Sequence, residues 1–234
     1  MKALAALLIA GKFGKFLITG GTMLLSVFTY AWVFGWGYAV GFVALIFAHE
    51  MGHFIAARNR GLKVGAPTFI PFVGAWIELK EQPMSAETEA YVGIAGPMLG
   101  TAATFVCYLL ALHTGNRLLL AVAYSGFILN LFNLIPLTPL DGGRIVSVIS
   151  PRIWFLGIPL LAGVFFWSPS PLLILIAIIA IPQVWAAFKN RSMLDSAYYR
   201  ASLSVRLQYT VQYLMLMSVL AIMAFEVHEM LGVS

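Results

Sequence analysis

Charge is scarce in this sequence. Only 10% of the 234 residues are Asp, Glu, Lys or Arg, whereas 61% are hydrophobic; ordinary soluble domains are about 25% charged. An ordinary soluble fold is thereby excluded, and an all-α polytopic membrane protein is expected, with its core made of spans packed in lipid. No polar block is long enough to fold as a second, soluble unit, so residues 1–234 are expected to form one integral membrane domain. There is one cysteine, Cys107, which rules out an intramolecular disulfide and a thiolate metal site. Internal repeats, phosphate-binding glycine loops and low-complexity tracts are also missing. The formal net charge of +5 does not point to nucleic acid, because the basic residues cluster in the gaps between apolar runs.

Seven apolar runs are present: Phe16–Phe34, Tyr38–Ala57, Ala90–Ala111, Leu118–Leu137, Ile153–Trp167, Leu172–Phe188 and Tyr209–Leu231. Most match the roughly 20 residues that a transmembrane helix needs. The fifth is short and holds Gly157 and Pro159, so about six to seven spans are expected. Met1–Ala10 resembles a short signal peptide, but Lys12 and Lys15 follow it and no convincing cleavage site does; it is expected to be retained.

With the N-terminus in the cytoplasm, Lys2, Lys12, Lys15, Lys63, Lys80 and Lys189 fall inside. So do Arg58, Arg60, Arg144, Arg152, Arg191, Arg200 and Arg206, leaving only Arg117 outside. That asymmetry favours a multi-pass protein with its N-terminus towards the cytoplasm.

The second run ends in Ala48-His49-Glu50-Met51-Gly52-His53-Phe54. On a helix His49 and His53 project from one face and can hold a single zinc ion, with Glu50 in reach of a water on that ion. Such an ion lowers the pKa of its water towards ~7, and a carboxylate can then take the proton. Ionisable groups at bilayer depth cost about 2.5–3.5 kcal/mol each and are normally there for function. The alternative is a pair of interfacial histidines bonded to neighbouring helices.

The connection from Arg58 to Glu89 holds an apolar stretch, Ala66–Lys80, that is too rich in Pro and Gly for a helix. Its aromatic and β-branched residues around Gly74 predict a small β-hairpin between the second and third spans, or else an amphipathic interfacial loop. Irregular backbone at membrane depth needs protein or a water-filled cavity around it. A hairpin beside the metal meets that need and offers an edge to an extended substrate, with Phe69, Ile70, Phe72 and Gly74 as the expected contacts.

The third run carries Gly93-Ile94-Ala95-Gly96-Pro97 and Gly100, whose smallness lets helices approach closely in lipid. The fourth ends in Asn130-Leu131-Phe132-Asn133-Leu134-Ile135-Pro136-Leu137-Thr138-Pro139-Leu140-Asp141-Gly142-Gly143-Arg144. Its prolines and glycines break the helix and let a carboxylate turn inwards. In the topology above, Asp141 arrives at the depth of His49 and His53 as a candidate third ligand, which leaves a fourth position open. Alternatively Asp141 is an ordinary turn residue before two glycines.

Together, His-Glu-Met-Gly-His with Ala57 and Gly61, the Phe69–Phe72 region, Gly93–Pro97 and Asn133-x-x-Pro136-x-x-x-Leu140-Asp141-Gly142 resemble the site-2 protease family of intramembrane zinc metalloproteases. The resemblance covers about Tyr38 to Arg144. It implies a zinc-dependent endopeptidase with a core at 38–144 and accessory helices at 16–34 and 153–231. His49, His53 and Asp141 would hold one Zn2+ per chain, Glu50 would be the general base, and Asn133 would position the scissile carbonyl or stabilise its oxyanion. The substrate would be a transmembrane segment of a membrane protein, cut near the cytoplasmic face. Relatives often add a PDZ domain or a CBS pair. This sequence shows neither, so gating is expected to come from elsewhere or from a regulatory partner that the sequence does not identify. Two other readings are a membrane zincin with Glu78 or Glu81 as the third ligand, and a non-enzymatic metal transporter.

Overall fold

A computed structural model describes residues 2–65, 67–72, 74–76, 83–189, 194 and 196–232, the side chains of 2–17 and 74–76 excepted. Among the described residues the chain forms eight α-helices and one small sheet. Helix α1 spans Lys2–Phe34, α2 Trp36–Asn59, α3 Ala86–Thr114 and α4 Arg117–Asn133. Helix α5 is the short Asp141–Ile149, followed by α6 (Trp154–Trp167), α7 (Pro171–Lys189) and α8 (Leu203–Leu231). Four of these, α2, α3, α7 and α8, are long and apolar enough to cross a membrane; the apolar helical stretches Ile18–Phe34, Arg117–Asn133 and Pro151–Trp167 are shorter.

Local chemistry sets the helix ends. Gly35, at φ 84°, makes the one-residue joint between α1 and α2, a conformation that costs a glycine little. Ser85 caps α3 by accepting the Thr88 N–H at 3.2 Å, and Glu87 and Glu89 sit in that first turn. Asn116 accepts from Leu118 and Leu119 to start α4. Each cap satisfies amide donors that the helix itself leaves open.

Strands β1 (Thr68–Ile70) and β2 (Gly74–Trp76) pair antiparallel, with Phe69 opposite Ala75. Ile77–Lys80, the rest of the expected hairpin, and Glu81 lie outside the described residues. Strand β1 rests on α1 and α2. The Phe69 N–H donates to Thr22 Oγ1 and the Phe72 N–H to the Tyr30 hydroxyl, each at 3.1 Å. Phe69 is 2% exposed and stacks on Phe47, whereas Ile70 and Phe72 are about half exposed.

One difference from the sequence expectation is helical. The Pro/Gly-rich break ends at Leu140, and Asp141 begins a new helix rather than sitting in an open turn. Two glycines in a first turn weaken a helix on propensity alone. Tertiary packing overrides this: Ile145, Val146 and Val148 are buried, and Gly142 lies against the Leu134 and Ile135 carbonyls, where a Cβ would collide.

Candidate metal centre

Helix α2 presents His49 and His53 one turn apart, both buried, and α5 brings Asp141 to them. The His49 and His53 Nε2 atoms are 3.1 Å apart, and Asp141 Oδ2 lies 3.1 Å from the first and 3.2 Å from the second. The three candidate ligands from the sequence therefore meet in one triangle. Glu50, also buried, follows His49 directly on α2, and its electrostatic neighbours are His53, His49, Asp141 and Arg144.

The outer nitrogens of both imidazoles are committed elsewhere. His53 Nδ1–H donates to the Val92 carbonyl of α3 at 2.8 Å. His49 Nδ1–H donates to Asn130 Oδ1 of α4 at 2.9 Å, and the Asn130 amide nitrogen donates to the Gly126 carbonyl, which fixes the amide's orientation. In the neutral imidazoles both Nε2 atoms are then acceptors. They face Asp141 Oδ2, a buried oxygen with no hydrogen-bond donor. Three acceptors converging without a donor cost desolvation energy unless a cation joins them.

A tetrahedral zinc with ligands at about 2.0–2.1 Å separates its donor atoms by about 3.3 Å. The observed edges, 3.1–3.2 Å, fit that ion. Two nitrogens and one carboxylate oxygen are also a donor set that zinc accepts in hydrolytic sites, with a fourth position left for water or substrate.

Small residues make the close approach possible. A Cβ on Gly96 would strike the His53 ring, one on Gly100 would strike the Asn130 amide, and one on Gly52 would strike the Ala95 carbonyl. The glycines of the third run therefore fit the metal centre as well as plain helix packing.

Asn130 is the residue that sequence reasoning missed. Asn133 carried the motif, yet its Nδ2 donates to Leu129 O at 2.9 Å and the contact to His49 belongs to Asn130, one turn earlier. A fully buried asparagine in an apolar run was the available signal, since polar groups at such depth need a partner.

Residues 37–117 match the profile of peptidase family M50. The M50 segment contains His49, Glu50, His53 and Gly96, whereas Asn130 and Asp141 lie beyond it.

The candidate zinc metalloprotease Rip3 of Mycobacterium tuberculosis is 35% identical over 124 residues, which is 49% of this chain and 31% of that protein. Zinc metalloprotease MJ0392 of Methanocaldococcus jannaschii is 32% identical over 120 residues, 48% of this chain and 34% of its own length. The match thus spans about a third of these curated relatives. Among solved structures, a site-2 protease from Methanocaldococcus jannaschii aligns at a TM-score of 0.45 and 20% identity, covering 84% of this chain and 85% of that one.

Proposed function

We propose that this chain is a zinc-dependent intramembrane endopeptidase that cuts a transmembrane segment of a membrane-protein substrate near the cytoplasmic face. The observation that carries the reading is the buried, donor-free triangle of His49 Nε2 and His53 Nε2, on the apolar helix α2, with Asp141 Oδ2. His49, His53 and Asp141 would hold the ion. When bound, zinc supplies Lewis acidity that makes water nucleophilic near neutral pH.

Glu50 is the only other buried carboxylate among the described residues. It takes the proton of the attacking water as the new C–O bond forms, and delivers it to the amide nitrogen as the C–N bond breaks. The Asn133 amide keeps a second N–H, besides the one given to Leu129, with which to hold the scissile carbonyl oxygen.

A helical substrate must unwind before its carbonyl is reachable, and unwinding in lipid frees backbone groups that each cost several kcal/mol. A strand edge replaces the lost bonds. The outer edge of β1 is already used, because Phe69 N–H points to Thr22, and in the turn beyond it the Phe72 N–H goes to Tyr30. Phe69 and Ala75 thus form a non-hydrogen-bonded pair, and Ala75 turns its own N–H and C=O to the outer edge of β2. The substrate strand therefore adds to β2, with the half-exposed Ile70 and Phe72 nearby. The distribution of Lys and Arg supports a cytoplasmic N-terminus and a site towards that side.

Proximity of Asp141 to both histidines favours it over Glu78 or Glu81 as third ligand. A membrane-tethered reporter, incubated with the purified protein whose zinc content is measured on the same sample, tests the proposal. Cleavage that scales with bound zinc supports it; a zinc-loaded protein that cuts no tethered segment while moving metal across vesicles would replace it with transport.

A further inference from the structure

Asp141 differs from the other two ligands in how it is held. His49 and His53 project from the middle of a long helix. Asp141 opens a nine-residue helix that follows the irregular stretch Leu134–Leu140, so its position depends on what fixes that stretch. A ligand carried on a loop is only as well placed as the groups that support the loop.

Two buried aromatic side chains grip this segment from outside the expected core. The Tyr213 hydroxyl, on α8, donates to the Leu134 carbonyl at the start of the stretch. The Trp154 indole N–H, at the start of α6, donates to the Gly143 carbonyl at 2.8 Å, just past Asp141. Trp154 and Tyr213 are 3% and 6% exposed, so neither bond is replaced by bulk solvent if it is lost.

The two grips are mechanically connected. The first turn of α5 rests on the carbonyl that Tyr213 holds, since a Cβ on Gly142 would collide with Leu134 O. Trp154 is backed in turn by the edge of Tyr199, with ring centroids 5.9 Å apart. The neighbouring Tyr198 hydroxyl donates to Glu89 of α3 at 2.8 Å, anchoring the α7–α8 connection there.

We propose that Trp154 and Tyr213 are positioning residues for the metal centre, holding Asp141 at the depth and orientation of a third ligand through the Gly143 and Leu134 carbonyls. On this view α6 and α8 complete the metal centre rather than merely flanking it. The inference rests on the proposed zinc site.

Trp154→Phe and Tyr213→Phe each remove one N–H or O–H donor and keep the ring. Both variants, in the full chain, are compared with wild type for zinc release into a chelator and for the d–d spectrum after cobalt substitution. Helix content is followed on the same samples. Loss of one such bond should speed metal release about three- to tenfold and alter the cobalt spectrum. On a tethered substrate, kcat should fall while KM stays. Tyr209→Phe, which trims a buried tyrosine of the same helix, should change none of these.

Variants that release zinc at the wild-type rate with an unchanged cobalt spectrum would overturn the inference, even if they are less stable. So would an equal effect of Tyr209→Phe. If Trp154→Phe does not fold, Tyr213→Phe decides alone. A wild-type protein that takes up no zinc would fail the proposed function itself, whereas an active zinc enzyme with silent Phe variants would fail only this inference.

Discussion

His49 and Asn130 are joined across two helices by a hydrogen bond of 2.9 Å, with the imidazole Nδ1–H as donor and the side-chain carbonyl as acceptor. The bond fixes which ring nitrogen carries the proton and so which one is free for a metal. Asn130 cannot rotate away, because its amide nitrogen is held by the Gly126 carbonyl.

Removing that acceptor should therefore weaken the metal and spare the fold. Asn130→Ala is expected to lower zinc affinity about ten- to a hundredfold, read by competition with a chromogenic chelator. Asn130→Asp keeps an acceptor on His49 and should retain the metal. Equal affinities in wild type and Asn130→Ala would show that the bond does not orient the ligand.

In the proposed scheme Glu50 touches the chemistry, whereas the triangle holds the ion. Glu50→Gln should abolish cleavage of a tethered reporter and leave zinc near one per chain by atomic emission. Asp141→Ala or His53→Ala should lose most of the metal together with activity. An active Glu50→Gln protein would remove the general base from the scheme.

Glycine 96 offers a steric test, since a Cβ there would strike the His53 ring. Gly96→Ala should displace the imidazole, at a cost of about 1–3 kcal/mol, and reduce bound zinc. Gly163→Ala, where nothing lies within 4 Å, is the matched control and should leave zinc and thermal stability unchanged. If the two variants bind zinc alike, the close approach of α3 to His53 does not matter for the site.

Strand addition at β2 puts the weight on one amide. Ala75→Pro removes an outward-facing N–H without removing a bond to β1, so cleavage should slow while zinc content is unchanged. Helix-breaking residues near the scissile bond of the substrate should speed turnover, and their replacement by Leu should slow it. A proline at 75 with full activity, alongside a uniformly Leu-rich substrate cut at the normal rate, would end the strand-addition idea.

The charge asymmetry predicts a topology. Single cysteines introduced at Lys63 and Arg144 should react with impermeant reagents from the cytoplasmic side, and one at Arg117 from the opposite side. Labelling of all three from one side would reverse that assignment and the depth of the metal centre with it.

The sequence alone determined that two imidazoles share one face of α2. A four-residue spacing puts His49 and His53 together on any helix, and an apolar run of that length has few other ways to satisfy its backbone. It also singled out Asp141, because a carboxylate beside a helix break is conspicuous in a chain with two Asp residues. Which asparagine supports the site was another matter. Asn130 and Asn133 sit one turn apart on α4, and only the rotation of α4 against α2 and α3 decides that Asn130 reaches His49. Gly100 and Gly126 permit that rotation by lacking the Cβ atoms that would block it. Tertiary packing likewise made a helix of Asp141–Ile149, where two glycines argue against one, and gave the amides of Phe69 in β1 and Phe72 in the turn to hydroxyls of α1. Local spacing is written along the chain, but contacts between residues eighty positions apart depend on how whole helices pack.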